Sequence, residues 1–188
     1  NHVLEFDSVT KQWTHAAPLN GPRSDASGAL VAPNVVVVFG GWDDAQCLAS
    51  TAVLTGSNAP AAAATAAAPA ASSKAAAAAA GDAGATTAVA QMICEWKTAQ
   101  WEPLPADAIQ PPPRRMHSSC VLLPPGGTAQ SVGRNFIFGG FSGSTRLNDL
   151  WQFAGDTLRW SAVEATGFVP SPRDGAALAA DHSNQRLF

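Results

Sequence analysis

The side chains able to do chemistry come first. The imidazoles are His2, His15, His117 and His182, far apart in sequence and never at the i, i+4 spacing that sets two ligands on one helix face, so they do not form a metal set. His117 is followed by Ser118, Ser119 and Cys120, yet no acid completes a Ser-His-Asp order and no G-x-S-x-G elbow occurs. Its expected role is a hydrogen bond within its own sheet, with partner contact as the rival. Neither G-x-G-x-x-G nor a Walker lysine motif is present to cradle a phosphate. Cys47, Cys94 and Cys120 have no close spacing, which argues against a disulfide framework or a CxxC metal site and for reduced, buried thiols. No catalytic residue, metal ligand or cofactor is assigned from these residues.

Recognition chemistry is better supplied. Trp42, Asp43 and Asp44 follow paired glycines, and Phe141, Ser142 and Arg146 follow a second pair. The Asp43 and Asp44 carboxylates are either solvated or turned to a basic partner. Asp149, beside Asn148, is expected to cap or pin its strand and not to catalyse. Arg23, Arg114, Arg115 and Arg173 cluster just after prolines. A guanidinium can grip a carboxylate through two parallel hydrogen bonds, so these arginines either form ion pairs inside the fold or recognise an acidic peptide. The residues assigned to partner contact are Trp42, Asp43, Asp44, Arg114, Arg115, Phe141, Ser142, Arg146 and Arg173.

Something must hold those loops in place, and the composition limits what it can be. Of 188 residues 39 are Ala, while Leu, Ile, Val and Phe number 37, close to the roughly 20% below which chains tend not to fold. Charged residues make up 13%, against a usual ~25%, and the net charge of -3 gives no field to attract nucleic acid. No run approaches the roughly 18 bulky apolar residues of a membrane span. Residues 55–87 contain no bulky apolar side chain, and Pro60 and Pro69 break up the Ala runs; this stretch is expected to be a disordered insertion.

Outside it, three anchors recur in fixed order. Apolar strands end in paired glycines at Val35-Val36-Val37-Val38-Phe39-Gly40-Gly41 and Asn135-Phe136-Ile137-Phe138-Gly139-Gly140. A Thr stands three residues before a Trp at Thr10/Trp13, Thr98/Trp101 and Thr157/Trp160. Pro-Arg recurs at Pro22-Arg23, Pro113-Arg114-Arg115 and Pro172-Arg173. Phe6 and Phe153 each lie seven residues before their Trp, which brings the N-terminal segment into the same register. The glycines are expected where the chain bends or another backbone approaches closely, and the three tryptophans where adjacent sheets pack.

This ordered set resembles the kelch motif, a repeat of about 50 residues that builds one four-stranded blade of a β-propeller. The resemblance implies an all-β fold: two full four-stranded blades plus two half blades. It divides the chain into residues 1–54 (a half blade and the start of the second), the insertion at 55–87, and residues 88–188 (the rest of the second blade, a third, and half of a fourth). The insertion is placed between the second and third strands of its blade, with residues 89–95 as the third strand. About three blades fall short of the four to eight that close a ring, so a longer chain with further blades is expected. Kelch relatives attach the module to ubiquitin ligase adaptors, phosphatases and actin-binding proteins. The resemblance therefore implies a non-catalytic protein-binding module with an unidentified protein partner. The location is expected to be cytoplasmic only by default, the cysteines pointing no further than to a reducing compartment. The alternative is a carbohydrate-active or isomerising propeller whose site lies mostly outside this chain. The copper centre of the galactose oxidase group, which resembles this architecture, requires tyrosine, and this sequence has none.

Overall fold

The structure is a computed structural model that describes residues 1–56, 99–128 and 130–188. Among these residues there is no helix; twelve strands form antiparallel sheets. A hairpin of β1 (Val3–Asp7) and β2 (Gln12–Ala16) comes first. Then follow two four-stranded sheets, one of β3 (Ser27–Ala32), β4 (Val35–Phe39), β5 (Thr51–Thr55) and β6 (Trp101–Pro103), the other of β7 (Ser118–Leu122), β8 (Arg134–Phe141), β9 (Arg146–Ala154) and β10 (Arg159–Val163). A pair of two-residue strands, β11 (Ala180–Asp181) and β12 (Arg186–Leu187), closes the series. Within each four-stranded sheet the strands pair in chain order, and the first strands β3, β7 and β11 lie side by side. Consecutive four-stranded antiparallel sheets with neighbouring first strands are consistent with a β-propeller-like fold.

The apolar run at β4 is covered on both faces, as its unbroken hydrophobicity requires. Val35, Val37 and Phe39 join a core with Ile137, Phe153 and Trp160 of the following sheet, while Val36 and Val38 pack with Trp101, Ala17 and Leu54 on the other side. Trp101 and Trp160 occupy equivalent places: each lies on the fourth strand of its sheet, is 4% and 3% exposed respectively, and donates its indole N–H to the preceding sheet or hairpin. The acceptors are Ala17 O at 2.8 Å for Trp101 and Thr51 Oγ1 at 2.9 Å for Trp160. The seven-residue Phe-to-Trp spacing emerges as direct cross-strand pairing, Phe6 opposite Trp13 and Phe153 opposite Trp160.

Two expectations need correction. The third strand of the first four-stranded sheet is Thr51–Thr55, paired along its length with β4, so the connection to the fourth strand, and not the one before the third, carries the long Ala-rich segment. Short hydrophobic TAVLT can satisfy that ladder at once after the loop, which leaves residues 89–95 without the role assigned to them. Thr55 ends this strand; the rest of the expected insertion, apart from Gly56, and residues 89–95, Cys94 and Thr98 lie outside the described residues. Trp13 does not fill a space between sheets: it is 65% exposed, because buried tryptophans here pack back onto the preceding sheet and no sheet stands before β1 in these residues.

The loop end of the sheets as a candidate interaction site

The paired glycines build this site. Gly40 and Gly139 have φ of 66° and 64°, and an added Cβ would meet the carbonyl oxygen of Arg114 at 2.7 Å and of Arg173 at 2.5 Å. The arginine segment that begins each sheet thus crosses directly over the glycine end of the preceding second strand, an approach only glycine permits. Gly41 N–H donates to Arg114 O and Gly140 N–H to Arg173 O, at 2.9 and 2.8 Å. A further set of hydrogen bonds joins the sheets where Asp25, Met116 and Gly175, all with positive φ, follow the Pro-Arg segments. Met116 N–H donates to Asp25 O at 3.1 Å, and Gly175 N–H to Met116 O at 2.8 Å.

Beyond the glycines, residues 42–47 and 141–146 form matching loops. Asp43 N–H donates to Gln46 O in one and Ser142 N–H to Thr145 O in the other, and Asp44 and Gly143 take the same positive-φ position, at 74° and 97°. Asp43 Oδ1 accepts the amides of Ala45 and Gln46, and these bonds, chiefly that from Gln46, hold its carboxyl below the usual range. Ser142 Oγ plays this part with the Thr145 amide. Of the assigned residues, then, Asp43 and Ser142 shape loops, while Asp44 stands exposed at a turn. Cys47 Sγ donates to Phe141 O at 3.5 Å and so joins the two loops.

Arg115 lies between them. Its guanidinium carbon is 5.0 Å from the centroid of Trp42 and 5.6 Å from that of Phe141, and its nearest carboxylate is Asp25 at 3.8 Å. Backbone bridges hold both rings, Trp42 to Ser24 and Phe141 to Arg115. A guanidinium flanked by two aromatic faces keeps its charge while losing much of its freedom, which lowers the entropy lost on binding. Nearby, Arg146 Nε donates to Asp174 at 2.7 Å, and this bond, helped by the charges of Arg146 and Arg115, holds the Asp174 carboxyl below its usual range.

Arg114 was assigned to a partner and is instead an internal residue. It is fully buried, donates from Nη1 and Nη2 to the two oxygens of Asp149 at 2.7 Å each, and also reaches Gly139 O and Pro112 O. The long side chain turns into its own sheet because Asp149 and the Gly139 carbonyl stand there; a buried charge needs such pairing. Half-burial alone would raise the Asp149 carboxyl, but the bonds and charge of Arg114, with the Trp151 indole N–H, bring it below its usual value. Arg173 is exposed and folds back on Ser171 O and Oγ. Asp25, Asp174 and Cys47 were missed; the two acids follow the Pro-Arg anchors by one or two residues, which was a usable signal, whereas Cys47 had none.

His117 is buried between the sheets, its Nε2 2.6 Å from Ser27 Oγ and its ring 5.4 Å from Phe39, with Nδ1 unpartnered. Burial, and secondarily the charge of Arg114, pushes its pKa down to about 4. The hydrogen bond expected within its own sheet runs instead to Ser27 of the preceding one, because the two first strands lie side by side there. His2 and His15, distant in sequence, come together across the hairpin with ring centroids 6.1 Å apart. No group of three or more His, Cys, Asp or Glu among the described residues is arranged to hold a metal ion.

No family model matches the chain. It is similar to human host cell factor 2, 35% identical over 65 residues that cover 35% of this chain and 8% of that protein. It is 37% identical to human host cell factor 1 over 65 residues, 35% of this chain and 3% of that protein. A Rho GTPase-activating protein, gacHH, of Dictyostelium discoideum is 33% identical over 78 residues, 42% of this chain and 5% of that protein. The chain therefore spans less than a tenth of the length of these relatives.

Proposed function

We propose that this chain is a kelch-type propeller module whose work is non-catalytic binding of a protein partner at the loop end described above. The observation that carries this reading is the half-exposed Arg115 stacked between Trp42 and Phe141, side chains brought from two different sheets. Tryptophan and arginine are the residue types most often found at energetically dominant positions of interfaces, and variable loops on a rigid repeated scaffold are where recognition concentrates. Arg146 and Asp174 form a charged border to that centre, as the polar rim of an interface does. The recurring anchors and the similarity to the host cell factors support the kelch assignment.

The test is comparative capture. A Trp42→Ala/Arg115→Ala double variant, shown by circular dichroism and melting to keep the fold, is expected to lose partners that the wild-type chain retains from the same extract. Identical retained sets would defeat the proposal.

A further inference from the structure

We propose that Arg23 holds an oxyanion that this chain does not itself supply, a carboxylate or phosphate group carried by a ligand or partner. The argument starts from register. Thr51 pairs with Phe39 and Leu150 with Phe138, so Ser50 in the first four-stranded sheet stands where Asp149 stands in the second. Arg23 and Arg114, each following a proline, are likewise equivalent: both donate from Nη1 to the carbonyl of the first glycine of their sheet's pair, Gly40 at 3.2 Å and Gly139 at 3.0 Å. The scaffold thus aims two guanidinium groups at two matching places and puts a carboxylate in only one of them.

What Arg23 finds there is neutral and distant. Nη1 reaches Ser50 O at 3.2 Å and Nη2 reaches Ser50 Oγ at 3.3 Å, against the two 2.7 Å contacts of Arg114 with Asp149. The ion pairs among the described residues join Arg114 to Asp149, Arg115 to Asp25 and Arg146 to Asp174; Arg23 has no carboxylate within 4.0 Å among them. Its Nε is buried without a hydrogen-bond partner. Burial alone lowers the pKa of this guanidinium, the signature of a cation partly removed from water with nothing of opposite charge to offset the loss. Ser50 is exposed, so an approach from solvent is open on the side where the carboxylate would sit.

Asp149 shows the geometry such a ligand would adopt, two parallel charge-assisted bonds to the guanidinium fork. Because Gly40 leads through Gly41 into Trp42, the anion would bind at the same end as the Arg115 clamp. The inference stands apart from that reading, since small anions alone can test it.

Thermal unfolding is measured for the wild type, Ser50→Asp and Arg23→Gln in sodium phosphate, acetate and chloride at matched ionic strength. The wild-type midpoint is expected to rise in phosphate, acetate or both relative to chloride; a larger rise in phosphate assigns a phosphate-bearing ligand, and a larger rise in acetate a carboxylate. Ser50→Asp, which supplies the missing carboxylate from within, is expected to melt about 2–4 °C above the wild type in chloride and to lose its anion dependence. Arg23→Gln is expected to lose that dependence too, whatever its own midpoint. An equal anion effect in all three proteins would be a general salt effect and would overturn the proposal, as would a Ser50→Asp variant no more stable than the wild type.

Discussion

In the hairpin β1–β2, Trp13 faces Phe6 across the ladder, with ring centroids 4.9 Å apart, and stands 65% exposed. In β9–β10 the equivalent pair, Trp160 and Phe153, is 5.1 Å apart and buried. The cross-strand register and the turn are the same; even Lys11 and Leu158, each the residue just before its second strand, both take positive φ and donate to Asp7 O and Ala154 O. What differs is the neighbour. Trp160 lies 5.0 Å from Phe39 of the preceding sheet and hydrogen-bonds Thr51, whereas among the described residues no preceding sheet meets Trp13. Pairing two strands therefore places an indole but does not remove it from water. Stacking one sheet on the next does that, and an isolated hairpin gains little stability without it.

Substitutions can break this contrast. Trp160→Ala is expected to cost about 3–5 kcal/mol in chemical denaturation, since it opens the seam between the two four-stranded sheets and removes the indole donor to Thr51 Oγ1, which keeps only its bond to Gln110. Asp149→Ala should fall in a similar range, about 3–5 kcal/mol, because it leaves the buried Arg114 unpaired; a matched Arg114→Met/Asp149→Leu protein that regains most of the loss would show that the cost lies in the orphaned charge.

The same seam buries His117, and acid sharpens the comparison. Its pKa of about 4 lies below the usual 6.5, so the unfolded chain takes up a proton before the folded one does. This contribution is complete above about pH 6.5 and is lost as pH falls from there to about 4, amounting to about 3 kcal/mol over the interval. Unfolding followed against pH should show that slope in the wild type and lose it in His117→Gln. The smallest effect is expected at the hairpin: Trp13→Ala should change stability by no more than about 0.5 kcal/mol, as for other exposed side chains. A loss there equal to that of Trp160→Ala would mean that Trp13 is covered by something in solution.

The legible parts of this molecule were those encoded by local constraint. Paired glycines, a Thr three residues before a Trp and a Pro-Arg step report backbone dihedrals, a turn and a strand start, so strands β1–β4 and β7–β10 could be placed before any coordinates. The five-residue strand Thr51–Thr55 is hard to read from the sequence because the Thr/Trp pair that marks the turn after a third strand lies beyond the long Ala-rich stretch. At the candidate site the loop residues were found through their position after the glycines. Their division of labour was not, since Arg114 and Arg115 are adjacent and chemically identical.

The amino-acid order by itself determined the β-strand class, the repeat and the register of Phe against Trp, because each depends on residues only a few positions apart. Tertiary structure alone decided that Arg114 is sealed against Asp149 while Arg115 lies between two rings, that Arg23 meets neutral groups of Gly40 and Ser50 where Arg114 meets a carboxylate, and that Trp13 stays in water. Those outcomes depend on which sheet lies against which. Burial and charge pairing are properties of the neighbouring surface and not of the side chain that meets it.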